Sequence, residues 1–93
     1  MSAYVLVGFS VRDAEKLQQY AAAAGPTVKQ HSGEFLARGP LTVLAGDTTH
    51  KVQVVIEFPS REAAEAWYQC DEYQALIALR NEGMTDALFT LLG

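Results

Sequence analysis

The 93-residue chain is 49% hydrophobic, carries a formal charge of −4 and contains one cysteine. This length supports one domain, residues 1–93, burying only about 60–65% of the surface that its unfolded form exposes. The seven Lys and Arg residues are scattered, which argues against nucleic acid or an anionic membrane surface as partner, and no apolar run reaches the roughly eighteen residues that cross a bilayer.

Cys70, the lone cysteine, leaves no internal disulfide and no thiolate metal cluster, which fits a reducing compartment. The opening MSAYVLVGFSVRDAEK has no basic leader before an apolar block, so no cleaved signal is expected and the cytoplasm is the expected location. A fold this small must hold by packing alone, and subunit association is a common way to gain buried area.

In chain order, Tyr4 to Val11 alternates as a strand, with Val5, Val7 and Phe9 facing away from Tyr4, Leu6 and Gly8. Asp13 offers an N-cap, and Ala14, Leu17, Tyr20, Ala21 and Ala24 follow at helical spacing. Gly25-Pro26 predicts a break near Ala24 and a second short helix over Thr27 to Ser32. GEFLAR then alternates as a second strand, placing Glu34, Leu36 and Arg38 on one side. Gly39-Pro40 predicts a bend or bulge, with LTVLAG resuming extended structure before the polar loop Asp47 to Lys51, where His50 reads as solvated.

VQVVIEF is the third strand, with Gln53, Val55 and Glu57 on one side. Pro59 stops it and Ser60 caps the next helix; Asp71 starts a further helical turn through Tyr73, Leu76, Ile77 and Arg80, closed by Gly83. Thr85 to Leu92 reads as the last strand. The order predicts an α+β, ferredoxin-like β-α-β-β-α-β antiparallel sheet with helices on one face. Leu6, Leu36 and Val55 make its other face apolar, and such a patch marks an interface, here a face-to-face homodimer.

HSGEFLARG, VLAGD and VVIEFPSREAAEAWYQCDEYQALIALR resemble, together with almost the whole remaining chain, the family called domain of unknown function 1330. The resemblance implies membership of the dimeric α/β-barrel superfamily, in which two ferredoxin-like protomers pack their sheets into a barrel. Superfamily relatives include cofactor-free monooxygenases, muconolactone isomerases and haem-handling proteins. The family's polar signature falls on His31, Gly33, Arg38, Gly39, Glu57, Phe58, Trp67, Tyr73 and Arg80. Ser32 and Pro40 stand where glycine is common, Leu17 where an aromatic is, and Ala45 where an acid is, which weakens any mechanism needing a second carboxylate near Asp47.

These residues define the expected site. Arg38 and Glu57, charged groups among apolar neighbours, are expected to pair with each other or to contact ligand. Glu57 and His31 are the candidate bases and Arg38 the anion holder, a set suited to a small organic acid or enolisable carbonyl compound. The competing reading makes the charges a structural ion pair and His31 a cap at a helix C-terminus. Trp67, Tyr68, Tyr73 and Arg80 are further candidate ligand contacts, although aromatics at helical spacing are more often core and Arg80 sits where the helix dipole favours a cation.

No cofactor is expected: the chain has no dinucleotide or P-loop motif, no serine-hydrolase elbow and no ligand spacing for a metal. The leading expectation is a homodimer binding a small anionic molecule, with cofactor-free proton transfer as its enzymatic version. A ligand sensor or purely structural dimer stands against it, as does an oxygenase-like or haem-linked activity resting on fold analogy alone.

Overall fold

The computed structural model describes residues 2–93. Valine and aromatic alternation makes β1 (Ala3–Val11) a strand whose Val5, Val7 and Phe9 are buried. Asp13 caps α1 (Ala14–Gln30), its carboxylate accepting from the N–H groups of Glu15 and Lys16 at 3.0 and 3.1 Å. The break expected at Gly25-Pro26 does not occur. Pro26 deprives the Ala22 carbonyl of its helical donor, but both residues are exposed, so water can replace that bond. Meanwhile Thr27 and Val28 extend the buried stripe of Tyr20 and Ala24 by one more turn, and that packing favours an unbroken helix.

Strand β2 (Glu34–Pro40) lies at the sheet edge, where Pro40 is tolerated as the last residue. Its irregularity sits between Phe35 and Ala37 instead of at Gly39-Pro40: Phe35 pairs with Ile56, Ala37 with Val55, and Leu36 is the extra residue. Residues 41–51 contain no strand, so the predicted extended LTVLAG segment is a loop, with Leu44 fully exposed. Strand β3 (Val52–Phe58) follows. Ser60 then caps α2 (Arg61–Gln69), accepting from the Ala63 N–H at 3.1 Å. The short α3 (Asp71–Gln74) begins at Asp71 as expected, and α4 (Ile77–Gly83) leads into β4 (Met84–Leu92).

All pairings are antiparallel and the strand order is β2-β3-β1-β4, the ferredoxin-like arrangement, with the helices on one face. The core lies between them, where Val5, Val7, Phe9, Ile56 and Phe58 meet Tyr20, Val28, Trp67 and Tyr73. The other face carries Leu6, Val55, Leu88 and Leu92, the last two more than half exposed. No helix is long and apolar enough to cross a membrane.

Helices α1 and α4 approach closely because Gly83 has no side chain. A Cβ there would stand 2.7 Å from the Leu17 backbone nitrogen, while the Gly83 carbonyl accepts from the Arg12 and Asp13 N–H groups. Gly83→Ala is therefore expected to cost about 1–3 kcal/mol in urea denaturation, since backbone must yield. Gly39→Ala, which meets nothing within 4 Å, should shift stability by about 0.5 kcal/mol or less.

Candidate functional site

Between the sheet and α1 lies a cavity of about 650 Å³. Its origin is a mismatch in side-chain size. The sheet contributes Val7, Val54 and Ile56, and α1 presents Ala21, Ala24 and Gly25, too small to fill the gap. Elsewhere large aromatics hold the layers apart: Trp67 stacks against Phe58 and Tyr73 with ring centroids 5.4 and 4.5 Å away. The lining is thus mainly apolar, with Lys29 and Arg38, both exposed, as its cations. A smaller hollow of about 380 Å³ lies between α2 and β4, bordered by Tyr68 and Phe89.

Arg38 and Glu57 do not meet. Because Leu36 is an extra residue, Arg38 pairs with Val54 and shares the helix side of the sheet with Val7, whereas Glu57 pairs with Tyr4 and Glu34 on the opposite side. The expected grouping of Arg38 with Glu34 and Glu57 assumed unbroken alternation, and the bulge reverses it. Among the described residues neither Arg38 nor Glu57 has an ion-pair partner. Glu57 accepts a hydrogen bond from the Tyr4 hydroxyl at 3.3 Å and faces Glu34 across the strands, a like-charge pairing that disfavours close approach.

His31 lies outside both cavities. It ends α1, with Nδ1 3.1 Å from the Thr27 carbonyl, which it bonds as a donor. Trp67 is buried and lines the large cavity; its indole N–H donates to the Thr27 hydroxyl at 3.0 Å, which in turn donates to the Ala24 carbonyl. Tyr73 is fully buried and lines neither cavity, and Tyr68 borders the small one.

Arg80 holds the tyrosines together. One guanidinium nitrogen donates to the hydroxyls of Tyr68 and Tyr73, each at 3.1 Å, and the group lies 4.6 Å from the centre of the Phe89 ring. Burial opposes its charge, but the bonds to Tyr68 and Tyr73 outweigh that and raise its pKa. The Tyr73 and Tyr20 hydroxyls are 2.7 Å apart. Burial pushes both phenol pKa values up, Tyr20 further because Tyr73 stands beside it; for Tyr73, the bond from Arg80 opposes the rise.

Sequence reasoning missed Tyr20 and Lys29 as cavity residues. For Tyr20 the signal was present in its helical spacing with Ala21 and Ala24, whereas for Lys29 it became readable only with α1 unbroken at Pro26. His50 was misplaced too. It is half-buried over the open side of the sheet, where a Cβ on Gly8 would collide with its ring at 2.7 Å, and its Nε2 lies 3.8 Å from Asp86. Among the described residues no three His, Cys, Asp or Glu side chains gather as a metal site.

Residues 2–93 match the family model described as Domain of unknown function (DUF1330). The chain belongs to the DUF1330 family. No curated protein matches it. Solved structures with this fold include a protein of unknown function from Rhodopseudomonas palustris (TM-score 0.81, 19% identity, 98% of this chain and 80% of that one). A dimeric ferredoxin-like protein of unknown function from Jannaschia sp. CCS1 is similar over 100% of this chain and 99% of its own (TM-score 0.77, 14% identity). A cofactor-independent oxygenase, SnoaB from Streptomyces nogalater, is similar over 99% of this chain and 91% of its own (TM-score 0.71, 12% identity). At these identities the likeness of this DUF1330 chain to each is one of fold.

The buried tyrosines carry a pH dependence. Folding raises their pKa above the usual 10.0, so above that pH the unfolded chain releases protons that the folded one keeps. Their contribution is complete below about pH 10 and is lost progressively as pH rises. Unfolding free energies from urea titrations should fall as pH rises above about 10, with a slope approaching about 1.4 kcal/mol per pH unit for each retained proton. Tyr20→Phe should make that slope shallower.

Proposed function

We propose that this DUF1330 protein is a homodimer that binds, in each protomer, a small anionic molecule with an apolar body, held in the cavity between sheet and helices. The observation that carries the reading is the cavity itself: a mainly apolar wall with the cations of Lys29 and Arg38 on it. An apolar body gains by leaving water there, while an acidic head group remains near exposed cations. Arg38 suits a carboxylate because its guanidinium fork can engage both oxygens. Proton transfer by Glu57 or His31 is not part of this reading, since neither lines the cavity.

The dimer is supported by the open face of the sheet and by neighbours described as dimeric ferredoxin-like proteins, from Thermobifida fusca and Jannaschia. The protein is a slab of 30 × 29 × 16 Å, whose broad side is on the order of 800 Å², one partner's share of a standard interface. Leu6, Val55, Leu88 and Leu92 supply apolar contact across it.

Two experiments test the reading. In the first, 1-anilinonaphthalene-8-sulfonate and the neutral N-phenyl-1-naphthylamine are titrated against the fluorescence of Trp67, the one tryptophan. Lys29→Met with Arg38→Met should weaken the sulfonate about tenfold at low salt and leave the neutral probe unchanged; equal losses would remove the anion from the proposal. In the second, sedimentation of Leu88→Lys with Leu92→Lys should give monomer, with Leu44→Lys remaining dimeric. If the strand variant sediments as wild type does, that face is not the interface.

A further inference from the structure

The direction of the hydrogen bonds among Arg80, Tyr73 and Tyr20 follows from what each group can donate. Tyr73 is fully buried, so its hydroxyl proton needs an acceptor inside the protein. Among the described residues its hydroxyl has two partners, the Arg80 guanidinium and the Tyr20 hydroxyl. A guanidinium only donates. The Tyr73 proton must therefore point at the Tyr20 oxygen, giving the order Arg80 to Tyr73 to Tyr20.

That order leaves the proton of Tyr20 unspent. Its oxygen accepts from Tyr73, and among the described residues the Tyr20 side chain has no other hydrogen-bond partner. Yet Tyr20 is 7% exposed and lines the large cavity. A phenol proton with no acceptor among the described residues, on a side chain that lines a mainly apolar space, is a donor open to a ligand's acceptor. The charge on Arg80 strengthens such a donor, because each bond in a chain polarises the next.

We infer that Tyr20 is a ligand-recognition residue whose hydroxyl donates to an uncharged acceptor oxygen, a ketone or similar carbonyl, on the molecule held in the cavity. The inference rests on the reading of that cavity as the ligand site and sharpens it. The ligand class becomes an apolar oxo-acid, its acidic group near Arg38 and Lys29 and its carbonyl at Tyr20. The same site disfavours a plain hydrocarbon acid, which would leave the hydroxyl's proton without an acceptor.

Calorimetry with 4-benzoylbenzoate and 4-benzylbenzoate tests this, the two differing only by a carbonyl in place of a methylene. Wild type should bind the ketone about tenfold more tightly, the worth of one neutral hydrogen bond in a dry site. Tyr20→Phe should abolish the preference, whereas Arg38→Met should weaken both probes by a similar factor. Irradiating wild type with bound 4-benzoylbenzoate, whose excited ketone inserts into nearby C–H bonds, gives a readout independent of any variant's folding. The adduct should map by mass spectrometry to the α1 segment around Tyr20.

Equal affinity of the two probes for wild type, a preference that survives Tyr20→Phe, or adducts confined to the open sheet face would each overturn the assignment while leaving the cavity reading intact. If neither probe binds at millimolar concentration, the cavity reading falls and the role of Tyr20 falls with it.

Discussion

The separation between sheet and helices is set by one aromatic block, and most other features follow from it. Phe58 projects from β3 into Trp67 of α2, Trp67 meets Tyr73 of α3, and Tyr73 reaches Tyr20 of α1 edge-on at 6.3 Å. Three helical segments are thereby fixed over the sheet at a height set by large rings. Over Val52 and Val54, however, α1 presents Ala21, Ala24 and Gly25, which cannot reach across that height. The cavity is the remainder: stacking at one end holds the layers apart, and small residues at the other leave the space open. The two buried hydrogen bonds of Thr27, from the Trp67 indole and to the Ala24 carbonyl, lock helix to helix without placing a loose polar group in the core.

The architecture was legible in the sequence because period-two alternation and helix caps are local signals. Asp13 and Ser60 cap where expected, and Val5, Val7 and Phe9 face the core as their spacing requires. The errors arose where a distant contact overrides a local preference. Pro26 reads as a stop, but its neighbours Thr27 and Val28 are buried against elements far along the chain, and no local rule counts that gain. Leu36 gives no local sign of being an extra residue. Gly39-Pro40 looked the more obvious irregularity, yet at the end of an edge strand Pro40 needs no accommodation.

That single residue reverses the expected site. In a strand, side-chain direction is a parity, so one inserted position transfers everything beyond it to the other side. Glu34 remains with Glu57, while Arg38 is carried to the helix side and onto the cavity wall. The sequence signature therefore contains two groups serving different surfaces. Arg38, Trp67, Tyr73 and Arg80 belong to the cavity and the aromatic network behind it; Glu57, with Tyr4, belongs to the open sheet face. His31 belongs to neither and finishes α1. Residues adjacent in motif space need not share a chemical task.

The open face is not uniformly apolar, Thr90 standing opposite Leu6, but its charged members sit away from its centre. Glu34, Glu57 and Tyr4 occupy one end. At the other, the half-buried His50 lies over Gly8, Ser10 donates to the Thr49 carbonyl, and the Thr49 hydroxyl bonds Asp86 at the irregularity in β4. Between them Leu6, Ala37 and Val55 pair across three strands with no charged side chain among them. An uncharged centre bounded by charged ends suits an interface, because desolvation is cheapest where it must be complete and water can still reach the edges. Gly8 matters to that layout: a Cβ there would stand 2.7 Å from the His50 ring, so the absence of a side chain is what lets the imidazole rest against the strand.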